Sequence, residues 1–353
     1  MRDAIVLSTW SWDVFNVPER IALALSMRGA RVLYCEMPAS RFKKRATPVT
    51  EIAKGIYGFR PELLGGKFNM VGPLRTMQWR SVAKQILHRA TETQLKDPIF
   101  LYSHIKHVEP LCEEIRMNNI PLVHICMDYP EPYQYGQIEL SDRTLVIPRA
   151  VGHKLKARFG NKIVVVPQSI HVVQDSTSVE ASPGCLEASP RPRLGYLGPI
   201  YGRVNVPLLK SVLSSHPDWQ FLCFGGASTL NLPNARDIEW TNPATLAAQV
   251  KSFDIGIMPY DCFEDRNLHC APLKLFDYFM AGIPVVSTPI IALWEYQDLV
   301  YLGDTAQELA RAIVCALDEP RSSPKRQKRI EVAMAHSTGV LGQQLEAILG
   351  FPT

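Results

Sequence analysis

Along most of this chain, short and nearly continuous apolar runs alternate with longer segments of helical period. The runs AIVLST (4–9), RVLYCE (31–36), PIFLYS (98–103), PLVHICMD (121–128), RTLVIP (143–148) and KIVVVP (162–167) are apolar on both faces. That pattern predicts buried parallel strands rather than half-exposed ones. Between the first two, VPERIALALSMRG opens near Pro18 and stops at Gly29, which predicts a helix. Further helices are expected over about 76–95, 107–117 and 149–158, while residues 37–75 read as loop-rich. The pattern breaks at 172–192, where Ser, Pro, Glu and Gly dominate, as in a linker. It then restarts with RLGYLG (193–198), WQFLCFGG (219–226), a short strand near DIEW (237–240), FDIGIMPY (253–260) and IPVVST (283–288). Helices are expected over 205–215, 243–251 and 272–281, with two or three more at the end. The class this implies is α/β, with two tandem Rossmann-like domains: 1–171, a linker 172–192, and 193–330. In such sheets ligands sit beyond the carboxyl ends of the strands. The expected site is therefore a cleft across which the two domains face one another.

Composition adds little to the class and something to the partners. The 353 residues suit two domains, and 46% hydrophobic content suits ordinary globular cores. No apolar run approaches the roughly 18 residues of a membrane span, and MRDAIVLSTWSWDVF lacks the long apolar region of a signal peptide. Eight scattered cysteines form no C-x-x-C pair and read as reduced thiols, so a cytoplasmic location is expected. Residues 1–170 carry 24 Lys+Arg against 15 Asp+Glu, and the remainder is mildly acidic. A basic first half suggests an anionic partner. The cluster SRFKKRATP (40–48) is either a solvated loop or a peripheral contact with an anionic membrane at its inner face. No aromatic-interleaved basic motif supports nucleic-acid binding.

The helix at 272–281 carries the least expected chemistry. Lys274 stands near its N-terminus, where the dipole disfavours a cation unless an anion accompanies it. Lys274, Asp277, Tyr278 and Ala281 share one face, so Asp277 is either half of an i, i+3 salt bridge or a hydrogen-bond acceptor for a sugar's hydroxyls. In the first half, Asp128 ends a strand and is either a general base or an N-cap or turn residue ahead of Pro130. Asp13 is a second candidate base, or the cap of the helix near Pro18. His104 and His107 follow the strand at 98–103 and are structural or reach a ligand; His124 reads as core. Trp10 and Trp12 pack locally or stack on a sugar. No H-x-x-x-H or D-x-D motif appears, so neither a metal nor a cofactor is expected.

The segment APLKLFDYFMAGIPVVST (271–288) resembles the P-x-K-x-x-E-Y-x-x-x-G-x-P-V-V motif of nucleotide-sugar glycosyltransferases with the two-Rossmann-domain, or GT-B, fold. It is most similar to the family 4-like bacterial group that builds polysaccharides and cell-envelope glycans. VHICMDYPEPY and RLGYLGPIYGRVNVPLLKSVLSSHPDWQFLCFGG resemble other segments of that group. The resemblance implies transfer of a sugar from a nucleoside-diphosphate donor, UDP-linked, to a glycan or lipid-linked saccharide. It also implies a donor-binding second domain, an acceptor-binding first domain, and a C-terminal helix (331–353) that packs back on the first. Carried over by position, Lys274 contacts the diphosphate, Leu275 belongs to the same motif, and Asp277 replaces the usual ribose-holding glutamate. Gly198 and Arg203 lie along the diphosphate, Gly225 and Gly226 along the nucleotide, and Tyr260 and Asp261 by the base or sugar. One departure stands out: many relatives place a glutamate eight residues before the second acid, and here that position is His269. The same fold also serves nucleotide-sugar 2-epimerases, and a non-catalytic nucleotide-sugar binder remains an alternative.

Overall fold

A computed structural model describes residues 2–12, 16–38, 47–63, 72–170, 192–238, 246 and 249–350. Asp13, most of the 40–48 cluster and nearly all of the 172–192 linker lie outside the described residues. The chain forms two compact units, 1–169 with 338–353, and 170–337.

The first unit is an eight-stranded sheet in the order β3-β4-β2-β1-β5-β6-β7-β8. Its strands are β1 (Ala4–Leu7), β2 (Val32–Cys35), β3 (Thr50–Ala53), β4 (Ile56–Phe59), β5 (Ile99–Ser103), β6 (Leu122–Cys126), β7 (Arg143–Val146) and β8 (Ile163–Val165). All pair in parallel except β3 with β4. This hairpin corrects the loop-rich expectation for 37–75; β3 is mostly exposed, so it carries no apolar run to betray it. The helices are α1 (Val17–Met27), α2 (Pro73–Glu92), α3 (Glu109–Met117), α4 (Pro132–Leu140) and α5 (Arg149–Phe159). The sequence pattern did not predict α4, which has no clear apolar stripe. Its start is set instead by Pro132 in the first turn and by Gln134, whose side chain accepts a hydrogen bond from the Glu131 N–H at 2.8 Å.

The second unit is a six-stranded parallel sheet in the order β11-β10-β9-β12-β13-β14. It contains β9 (Arg193–Tyr196), α6 (Val206–Ser215), β10 (Gln220–Cys223), β11 (Ala235–Asp237), β12 (Ile255–Met258), a short α7 (Asp265–Leu268) and α8 (Leu273–Ala281). Next come β13 (Val285–Ser287), β14 (Val300–Leu302), α9 (Ala306–Leu317) and α10 (Pro324–Ala335). β14 and α7 are additions to the sequence reading; each is too short to show a period. One apolar cluster joins Tyr196, Phe221 and Val286 to α6 and α9. Another joins Leu275, Phe276 and Phe279 of α8 to Tyr260 and Tyr296. The buried Arg329 of α10 makes two 2.7 Å bonds to Glu319 and one to the Leu299 carbonyl, which satisfies its guanidinium.

The last helix, α11 (Thr338–Leu349), returns to the first unit and lies along α1. Gly342 permits the approach, because a Cβ there would stand 2.7 Å from the Ala24 carbonyl. Arg28 and Glu346 pair across the two helices at 2.6 Å.

Of the described cysteines, Cys35, Cys112, Cys126, Cys223 and Cys270 are buried free thiols, whereas Cys315 is exposed.

Candidate active site

In each sheet the chain builds outward from one strand and then returns to that strand's other side. In the second unit β9 is followed by β10 and β11 on one flank, and β12 then pairs with β9 on the other. Two loops leaving adjacent strands in opposite directions open a crevice at their carboxyl ends. The loops here are 197–205, after β9, and 259–264, after β12, with the N-terminus of α8 close behind.

These segments are stitched together by backbone bonds. Asn205 N–H donates to the Pro259 carbonyl and Asp261 N–H to the Arg203 carbonyl, both at 2.8 Å. Val204 and Tyr260 form an isolated antiparallel bridge. Two side chains add to this: Arg266 donates to the Gly202 carbonyl at 2.9 Å, and the buried Asn267 amide to the Asp261 carbonyl at 3.1 Å. Gly198 has φ +114, a conformation that a residue with a Cβ rarely adopts, so the turn after β9 requires glycine.

Lys274 sits in the first turn of α8, as the sequence placed it. Its ammonium lies 3.7 Å from the centroid of the Tyr196 ring and 5.5 Å from that of Tyr260. A Cβ built on Gly198 would stand 3.6 Å from the Nζ, so loop and lysine nearly touch. The ammonium makes no hydrogen bond and no ion pair with any described residue. Burial pushes its pKa down from 10.5 to about 7; the nearby Arg203 pushes the same way, while Cys270, Asp277 and Cys223 push back. Lys274 and Asp277 thus do not form the i, i+3 salt bridge that spacing allowed. A desolvated cation resting on aromatic faces at a helix N-terminus, with a second cation nearby, is arranged to receive an anion.

Leu275, next to it, has its side chain fully buried in the core. Tyr260 is also buried, and offers the ring beside Lys274 rather than an exposed hydroxyl. Gly225 and Gly226 both have positive φ and abut loop 197–205, with Ile200 N–H donating to the Gly225 carbonyl at 3.1 Å. The amides that follow, Ala227 and Ser228, are already taken by the Asp237 carboxylate at 2.8 and 3.2 Å. His269 is buried, with Nδ1 2.9 Å from the Asp265 carbonyl.

Sequence reading missed Tyr196 and Asn267, and placed Tyr278 on the Lys274 face without giving it a role. Tyr278 fills the gap left by Gly256, where a Cβ would stand 2.5 Å from its ring. Its hydroxyl donates to the Gly195 carbonyl and accepts from the Leu197 N–H, both at 2.9 Å. That pair of bonds fixes α8, and so Lys274, against the end of β9. The available signal was Tyr278 four residues after Lys274 on the same face.

In the first unit the return point lies between β1 and β5. His104 follows β5 and Asp128 follows β6; both are half-buried. The cap residue of α4 is Glu131, which sets aside the capping role for Asp128 at that helix. Asp13 lies outside the described residues. His124 is fully buried with neither ring nitrogen hydrogen-bonded, and burial drives its pKa down to about 3, with His104 a lesser cause. Glu19, buried beneath the end of β1, accepts hydrogen bonds from Ser8 and Tyr34, and burial raises its pKa to about 7.

Among the described residues no group of three or more His, Cys, Asp or Glu is placed to hold a metal ion. No described helix is long and apolar enough to cross a membrane.

No family model matches the chain. Over 154 residues it is 31% identical to the putative teichuronic acid biosynthesis glycosyltransferase TuaH of Bacillus subtilis (strain 168), a match covering 38% of each protein. The match thus spans well under half the length of that curated relative. Among solved structures, the sucrose-phosphate synthase of Thermosynechococcus elongatus is similar over 99% of this chain and 98% of its own, with TM-score 0.68 and 13% identity. The E. coli trehalose-6-phosphate protein bound with UDP-2-fluoro glucose matches over 99% of both chains, with TM-score 0.69 and 11% identity. An α,α-trehalose-phosphate synthase from Burkholderia xenovorans, in complex with glucose-6-phosphate, gives TM-score 0.70 at 12% identity over 99% of this chain and 100% of its own. At such identities the likeness concerns the fold, and the fold is GT-B, with two Rossmann-like domains.

Proposed function

We propose that this GT-B protein is a glycosyltransferase that takes a sugar from a nucleoside-diphosphate donor, UDP-linked, and gives it to an acceptor hydroxyl. The observation that carries the reading is Lys274: a desolvated ammonium that pairs with none of the described residues, at a helix N-terminus, against the glycine turn after β9. The partial match to TuaH and the UDP-sugar named with one structural neighbour point the same way. Lys274 and Arg203 hold the diphosphate, with the backbone at Gly198 alongside. Asp277, one turn along α8, accepts from the ribose hydroxyls, and Gly225 and Gly226 admit the nucleotide.

In the reaction the bond from the sugar's anomeric carbon to the diphosphate breaks, and a bond to the acceptor oxygen forms. The acceptor proton passes to a base, for which Asp128 is the first candidate and Asp13 and His104 the others. Negative charge grows on the leaving diphosphate, where Lys274 and Arg203 oppose it without reorganising. The acceptor is an envelope glycan or lipid-linked saccharide, bound by the first unit at the inner face of the membrane.

The test is a thermal-shift series with UDP, GDP, ADP and their sugars. UDP compounds raise the melting temperature, and Lys274→Ala removes the shift. Absence of any nucleotide-induced shift overturns the reading. Turnover of donor to an isomeric donor without acceptor would instead mark an epimerase.

A further inference from the structure

We propose that the second unit carries a further anion site, at the end of its sheet opposite Lys274, and that this site takes a small phosphorylated metabolite. The inference goes beyond the donor reading and does not rest on it.

A cavity of about 930 Å³ opens where the strands of this sheet begin rather than where they end. Its walls come from residues at the starts of β9, β12 and β13 and from the ends of α8 and α9. Lys274 occupies the first turn of α8, whereas Ala281 and Gly282, at the other end of that helix, line the cavity. At about 1.5 Å per residue, about 10 Å of helix separates the two places.

Four cations line the cavity: Arg193, Lys251, Arg321 and Arg326. None of their side chains makes a hydrogen bond or ion pair with a described residue, and the Nε of Arg193 is buried in that condition. The two carboxylates in the lining are already engaged. Glu319 accepts two 2.7 Å bonds from Arg329 and a third, also 2.7 Å, from the Tyr301 hydroxyl. Asp254 accepts from the Arg193 backbone N–H at 2.8 Å.

Cations also gather at helix C-termini merely to serve the last carbonyls. Here backbone amides do that: Gly282 N–H donates to the Phe279 carbonyl at 2.9 Å, and Asp318 N–H to the Val314 carbonyl at 3.0 Å. The two helix ends carry about half a negative charge each, which four cations outweigh. A phosphate presents several charged oxygens and so satisfies more than one Arg or Lys at once. Ile283, Pro284, Leu317 and Pro320 supply an apolar wall beside the cations, and a cleft of this size admits more than a bare ion. The chemistry that fits is a phosphate joined to a compact organic body, as in a sugar phosphate or a nucleoside monophosphate.

Titration calorimetry on the full chain tests this in the Lys274→Met background, which removes the ammonium at the other end of the sheet. Ribose 5-phosphate and AMP are titrated beside ribose, adenosine and inorganic phosphate. At least one phosphorylated compound should bind once per chain and more tightly than inorganic phosphate, while its unphosphorylated counterpart does not bind. AMP binding more tightly than ribose 5-phosphate marks a nucleotide as the source, and the reverse order a sugar phosphate. Adding Lys251→Gln or Arg326→Gln should weaken binding about tenfold each. Both positions are exposed, so melting temperatures without ligand should match the background, which separates lost binding from misfolding. Three outcomes overturn the proposal: no binding of either phosphorylated compound, affinity indifferent to both cation substitutions, and inorganic phosphate binding as tightly as the organic phosphates. The UDP-induced shift of the parent protein is read separately, so failure of either site leaves the other standing.

Discussion

Replacing Lys274 with methionine should make the empty protein more stable while destroying its donor site. The ammonium's pKa falls from 10.5 in an ordinary setting to about 7 here, chiefly through burial. Every tenfold loss of proton affinity corresponds to about 1.4 kcal/mol, so near pH 7 the folded state bears a penalty of up to about 4 kcal/mol. The sign follows from proton binding. Between pH 7 and 10.5 the unfolded chain holds more protons than the folded one, so stability rises with pH across that window. The penalty is full below pH 7 and absent above 10.5. Methionine, unbranched and apolar, occupies the same space over Tyr196 without a charge. Calorimetry at pH 6 should place the Lys274→Met melting transition of the second unit about 8–16 °C above the parent's. At about pH 10 the two should converge. With UDP the order reverses, because only the parent gains stability. A variant no more stable at pH 6, or one whose advantage persists unchanged to pH 10, would refute the electrostatic account of this lysine.

Gly198→Ala combines φ +114 with a Cβ 3.6 Å from the Lys274 Nζ, so titration calorimetry should show UDP affinity reduced tenfold or more, by about 1–3 kcal/mol of backbone strain. Tyr278→Phe leaves the buried Leu197 N–H without its acceptor; denaturant unfolding should show a loss of about 1–3 kcal/mol, accompanied by weaker UDP binding. Glu19, with its carboxyl raised from 4.5 to about 7, binds more protons folded than unfolded, so it draws stability down as pH rises through that interval. Glu19→Gln should therefore melt higher than the parent at pH 8 and match it near pH 4, and equal gains at both would count against burial as the cause. His124 acts oppositely: lowered from 6.5 to about 3, it erodes stability as pH falls through that range. His124→Phe should flatten the acid limb of the stability profile, measured by circular dichroism melts from pH 7 to 4.

Much of this protein was legible in local patterns, because strand and helix periods follow from backbone geometry alone. Continuous apolar runs located β1, β2, β5 to β8, β9, β10, β12 and β13. Pro and Gly marked the ends of α1 and α8. The same reasoning passed over β3, which buries too little to show a pattern, and α4, whose start depends on a cap rather than a stripe. At the site, the sequence exposed Lys274 as a cation poorly suited to an empty helix, and that anomaly survived into three dimensions. It did not reveal what surrounds the lysine. The Tyr196 ring beneath the ammonium comes from a strand 78 positions earlier, and Tyr278 reaches back across 83 to Gly195. Composition registers such tyrosines only as core. Their roles depend on β12 pairing with β9 rather than with β10, a choice made by sheet order and crossover direction. The sequence alone determined which segments become strands and helices, since each answers to its own periodicity. The tertiary structure decided which loops meet, and hence that Lys274 is left with aromatic faces and no counter-ion among the described residues, because contacts so distant along the chain are set by packing.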